Sequence, residues 1–92
     1  MHHIKTRCFI RSFETLPKRI KEKARKAFGL FCEDLSDPSL SIERIEGYPG
    51  VWSGRISKKY RWTFHFESDP QSDERICVHR VIGAHEDVYR NP

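Results

Sequence analysis

From Leu16 onward the apolar side chains fall at Ile20, Ala24, Ala27, Phe28, Phe31 and Leu35. Steps of three, four and one residue trace a single stripe, which predicts an amphipathic helix over 16–35 with a Lys/Arg-rich face opposite. Thr15 stands where an N-cap is wanted, Pro17 suits a first turn, and Ser36-Asp37-Pro38 closes the element. Farther along, the period changes to two. In YRWTFHFE (60–67), Tyr60, Trp62, Phe64 and Phe66 share one face, while Arg61, Thr63, His65 and Glu67 share the other. That alternation predicts a half-buried strand. VWSGRIS (51–57) precedes it across Lys58-Lys59, the arrangement of a tight hairpin, and ICVHRVI (76–82) forms a last strand broken by Gly83.

The remaining segments are less regular. HHIKTRCFI (2–10) reads as a first strand, with a short helical turn added over 9–13. LSIERIE (40–46) is a strand or an extended lead-in to the turn cluster Gly47-Tyr48-Pro49-Gly50. The tail AHEDVYRNP is too short and polar to build core, so at most one helical turn is expected there, mobile in the free protein. The order β-α-(β)-β-β-β is an α+β fold: a small antiparallel meander packed on one or two N-terminal helices. No internal repeat interrupts it, and a single domain is expected over residues 1–92.

Composition narrows the class. An aromatic share of 12% argues against intrinsic disorder. No apolar run approaches the roughly 18–20 residues of a membrane span, and no signal-peptide core follows the N-terminus, so a cytoplasmic protein without membrane contact is expected. Cys8, Cys32 and Cys77 are odd in number and widely spaced, with neither a CxxC nor a Cys/His pair at zinc spacing. They read as small hydrophobes in a reducing compartment, and neither metal nor cofactor is expected. His2, His3 and His79 receive no role.

Charge points to a partner. The net charge is +4, and it is concentrated in two places. Residues 17–27 carry six Lys/Arg against Glu22, and residues 55–61 carry Arg55, Lys58, Lys59 and Arg61 with no acid. Such patches suit a polyanion or an acidic protein, although a helix face of this kind can equally be plain solvated surface. The second patch adds chemistry, because Arg55, Arg61 and His65 share it and His85 and Tyr89 follow in the tail. Attack of an RNA 2′-hydroxyl on the adjacent phosphate requires a base, an acid and cations against the developing charge, and no metal. Imidazole transfers protons near neutrality and guanidinium grips phosphate in a bidentate way. Trp62, sharing a face with Phe64 and Phe66, is assigned to the core; Trp52 is left open between core and base stacking.

These segments, taken in order as LPKRI, WSGRIS, YRWTF and VIGAHEDVYR, resemble the RelE/ParE superfamily of toxins from type II toxin–antitoxin pairs. The resemblance runs from about Phe9 to Arg90 and is most specific in SGRI-x-x-x-YR and IG-x-H-x-x-x-Y-R. It implies a small antiparallel sheet on one or two helices. It also implies an mRNA endonuclease working on the ribosome, or a gyrase inhibitor or catalytically silent binding protein if the ParE branch applies. An acidic protein antitoxin is the implied partner, and the oligomeric state is left open. Carried over residue by residue, the resemblance implies catalytic roles for Arg61, His85 and Tyr89. Arg55, Lys58, Lys59, His65 and Arg80 would then contact RNA. Arg80 departs from the pattern, standing three residues before Gly83 where some members carry Arg two before. One step along a strand turns a side chain to the other face, so the sequence leaves its orientation open.

Overall fold

The alternating segment 60–67 becomes the middle strand of a five-stranded sheet. A computed structural model describes residues 1–92. In chain order its elements are β1 (His2–Lys5), α1 (Arg7–Glu14), α2 (Lys18–Glu33), β2 (Glu43–Arg44), β3 (Trp52–Arg55), β4 (Tyr60–Ser68), β5 (Arg75–Ala84) and α3 (His85–Arg90). A short 3-10 turn, Pro38–Leu40, links α2 to β2. The strand order is β1-β5-β4-β3-β2.

Strands β2 to β5 form the expected antiparallel meander, but β1 pairs in parallel with β5, so the sheet is mixed. The hairpins occupy one edge of β5 and leave the other for β1, and a parallel partner is reached only by a long crossover, here everything between β1 and β5. Strand β1 is also shorter than 2–10. Thr6 stops it by capping α1, its hydroxyl accepting from the Phe9 amide at 3.0 Å. The short turn expected at 9–13 is therefore a full helix. Thr15 ends α1 instead of capping α2, which begins after Pro17 without a side-chain cap. Strand β2 keeps only two residues of the 40–46 segment.

The stripe on α2 behaves as its spacing dictates. Ile20, Ala24, Ala27 and Phe31 are buried, and Lys18, Arg19, Lys23, Arg25 and Lys26 face solvent. The core is the layer between α1/α2 and one face of the sheet, where Phe9, Leu16, Phe31, Leu40, Trp62, Phe64, Cys77 and Ile82 meet. Phe31 stands edge-on to Trp62 and Phe64, with centroids 5.4 and 4.8 Å away. Such edge-to-face contacts are worth about 0.5–1.5 kcal/mol beyond area burial. Trp62 is fully buried, and Trp52 is half-buried under the Arg44 guanidinium. Gly54 has a packing reason: a Cβ there would lie 2.2 Å from the Trp62 ring. With both long helices on this face, the opposite face of β3, β4 and β5 is left for the C-terminal segment.

Candidate active site on the open sheet face

Register places the two arginines of the basic hairpin directly opposite each other, Arg55 on β3 against Arg61 on β4. Like charges so placed repel. Arg61 relieves the repulsion by folding onto the turn, where its Nη1 donates to the main-chain oxygens of Ser57, Lys58 and Tyr60. Arg55 stays exposed, as do Lys58 and Lys59 at the tip. One end of the sheet thus carries four cations.

Helix α3 brings the tail to the same end. The His85 amide donates to the Lys59 carbonyl at 2.7 Å, fastening the start of α3 to the hairpin turn. Glu86 and Asp87 in the first turn complement the helix dipole. Val88 is buried and lies over Gly83, where a Cβ would meet it at 3.6 Å. His85 and Tyr89, four residues apart on one helix face, stack with centroids 4.1 Å apart. The Tyr89 hydroxyl lies 2.8 Å from the Ser53 hydroxyl and donates to Glu43 Oε1 at 3.3 Å. Beyond α3, the Pro92 main-chain oxygen accepts from Thr63 Oγ1 at 2.9 Å and Arg80 Nε at 3.0 Å. A mobile tail was expected; the structure docks it instead. One buried valine, one anchored phenol and a buried main-chain oxygen outweigh the segment's polar composition.

Arg80 owes its position to a bulge. Thr63 pairs with Val81 but Phe64 pairs with His79, so Arg80 is an extra residue in β5. Counting back from Val81, which pairs with the open-face Thr63, strict alternation would turn Arg80 into the core; the bulge instead lets Arg80 share the open face with Val81, while His79 stays buried. There its Nη1 meets His65 Nδ1 at 2.8 Å, while His65 Nε2 lies 3.5 Å from Glu67. The open face therefore holds two groups. Arg55, Arg61, Lys58, Lys59, His85 and Tyr89 gather at the hairpin end. His65 and Arg80 sit about 13 Å farther along the strand, at roughly 3.3 Å per residue.

Three shifted titrations lie on the other face. Burial, with Cys32 adding a smaller repulsion, pushes the Cys77 thiol up to about 12. Burial, helped by His3 and Lys5, holds His79 down at about 4. His3 is lowered too, by burial and then by the N-terminal charge.

No protein-family model matches this chain, and no curated protein matches it by sequence. Solved structures do. A YoeB/ParE toxin from Agrobacterium tumefaciens superposes with a TM-score of 0.73 at 17% identity, over 92% of this chain and 99% of that one. The RelB–RelE antitoxin–toxin complex from Methanococcus jannaschii gives 0.70 at 16% identity, covering 97% and 99%. The E. coli DinJ–YafQ toxin–antitoxin complex gives 0.72 at 10% identity, covering 94% and 93%. The chain has the RelE/ParE toxin fold. Nearly the whole of both chains is covered in each comparison.

Two polar residues of the candidate site escape sequence reasoning. Glu43 sits in an irregular two-residue strand, and Ser53 is a small side chain inside WSGRIS. Both become visible only because β2 and β3 pair, aligning Glu43 with Ser53 beneath Tyr89.

Proposed function

We propose that the chain is the toxin of a toxin–antitoxin pair and an endonuclease for mRNA on the ribosome, cleaving by 2′-hydroxyl attack on the adjacent phosphate. One observation supports this most: α3 stacks His85 on Tyr89 beside the opposed arginines, so proton-transfer groups and phosphate-binding cations share one end of the open face. Arg55 and Arg61 hold the scissile phosphate and oppose charge building on its oxygens. Glu43, already the acceptor for the Tyr89 hydroxyl, draws the proton from the 2′-hydroxyl with Tyr89 as its positioning contact. The exposed imidazole of His85 returns a proton to the departing 5′-oxygen. The products are a 2′,3′-cyclic phosphate and a 5′-hydroxyl. Lys58 and Lys59 hold the flanking backbone, and His65 with Arg80 take the next nucleotides once the Pro92 contact gives way.

Two of the similar structures are complexes with an antitoxin. By the same reading an acidic antitoxin covers this basic surface, and charge complementarity speeds its capture. Hydrogen exchange with and without a co-expressed neighbour checks this; protection far from the hairpin, α2 and α3 would contradict it. A second reading draws on the ParE in the name of one similar structure: a gyrase inhibitor on the same fold, with the open face as a docking surface. Primer extension on mRNA after induction separates the two. New 5′ ends inside reading frames favour the endonuclease, and an SOS response with intact mRNA favours gyrase.

A further inference from the structure

The core face holds a cluster that the open-face chemistry does not use. Parallel pairing sets His3 on β1 opposite Cys77 on β5, and His79 follows Cys77 by two residues, on the same face. One donor atom each from His3, Cys77 and His79 lies within 4.8 Å of the others. The two imidazoles stack with centroids 5.2 Å apart and meet nitrogen to nitrogen, His3 Nδ1 to His79 Nε2 at 3.0 Å. The other nitrogen of His79, Nδ1, is buried without a hydrogen-bond partner, an arrangement that native interiors rarely leave unexplained. Cys32 on α2 stands at the mouth, its Sγ 3.6 Å from His3 Nε2. Phe9, Phe28, Phe31 and Phe64 surround His79 and keep water away.

We propose that His3, Cys77 and His79 form a binding site for one soft d10 cation, zinc(II) or copper(I). Bonds of about 2.0–2.3 Å in a tetrahedral or trigonal site put donor atoms roughly 3.3–4 Å apart, so closing the cluster needs side-chain movements of about 1 Å. Two imidazoles and a thiolate are the donors that soft ions select over calcium, magnesium or manganese. On binding, the metal–sulfur bond replaces the Cys77 S–H bond and the proton leaves to solvent. Charge then separates the two ions. Copper(I) with one thiolate and two neutral imidazoles gives an uncharged centre against the buried Cys77 and His79, and Cys32 is not needed. Zinc(II) reaches neutrality only when Cys32 turns in as a second thiolate and completes a Cys2His2 set. The site lies on the opposite face of the sheet from His85 and Tyr89, so it acts as a clamp on β1, β5 and α2.

The test uses the full chain stripped with a chelator and kept reduced. Zinc(II) is titrated against a chromophoric competitor, and copper(I) against a copper(I)-specific one under anaerobic conditions, with the melting temperature followed in parallel. One ion per chain, a Kd below about 1 µM and a raised melting temperature are expected. His3→Ala, at an exposed position of an edge strand where folding should survive, should weaken binding at least 100-fold, and Cys77→Ala should match it. His2→Ala should leave binding unchanged. Cys32→Ser decides the ion: loss of zinc with copper kept assigns Cys32 to a zinc site, and equal retention of copper(I) with weak zinc from the start assigns a three-coordinate copper site. The proposal is overturned by no stoichiometric binding of either ion, by undiminished binding in His3→Ala, or by an equal loss in His2→Ala.

Discussion

Arg55 and Arg61 face each other across the hairpin, yet only Arg61 is bound into it, through three main-chain oxygens of the turn. The two should therefore separate on stability and agree on activity. Arg55→Ala is expected to stay within about 0.5 kcal/mol of the parent, as for other exposed substitutions. Arg61→Ala should lose about 1.5–3 kcal/mol, typical for hydrogen bonds made by a charged group. Both should cut growth arrest on induction at least tenfold; thermal melts and plating assays read the two effects. A large loss of stability for Arg55→Ala, with activity falling only in step, would make that arginine structural. Gly54→Ala makes the opposite case. Its Cβ would enter the Trp62 ring, so a loss of about 3 kcal/mol, the upper end of ordinary overpacking, is expected from the melt, with no chemistry involved. At this scale the positions of Arg61, His85 and Tyr89, though not their roles, were legible because alternation and short motifs place them. Arg80 was not, since a bulge is set by two strands together and a single strand's pattern assumes strict alternation.

Element α3 shows how a polar segment can be an ordered one. Its sequence offers one aliphatic side chain, Val88, and that side chain is buried over Gly83 while Tyr89 and the Pro92 oxygen are held by the sheet. Val88→Ser should release the helix without unfolding the sheet. Hydrogen exchange in α3 should then rise toward the unprotected rate, with β4 and β5 unchanged, and the proposed mRNA cleavage should fall because His85 and Tyr89 lose their footing. Equal exposure of the sheet would mean that α3 is part of the cooperative core. The helical periods of α2 and the strand period of β4 were readable from spacing alone. The parallel pairing of β1 was not, since four residues of mixed character carry no signal for which edge they join. Glu43 was hidden for the same reason, its strand being too short to show a period.

Across the whole molecule, the helices and the open face divide packing from chemistry, and the titration of His79 reports on the packing side. Its imidazole falls from an ordinary 6.5 to about 4 in the folded protein. Between those values the unfolded chain takes up a proton that the folded one refuses, so stability falls as pH drops through that window and levels off below it. The full effect is on the order of 3 kcal/mol. Urea midpoints of the metal-free protein from pH 7 to 4 should show this slope, and His79→Phe, which suits the surrounding phenylalanines, should flatten it. A slope that survives the substitution would assign the acid sensitivity elsewhere.

The central claim is that the open face cleaves RNA through the hairpin arginines and the residues docked by α3. Its most direct measurement is primer extension on cellular mRNA after induction of the parent chain and of His85→Ala, with folding of both checked by thermal melt. New 5′ ends within reading frames for the parent, and at least a hundredfold fewer for a folded His85→Ala, are the expected result. Intact mRNA with growth arrest in both chains would contradict the account and leave the RelE/ParE fold serving a target other than RNA.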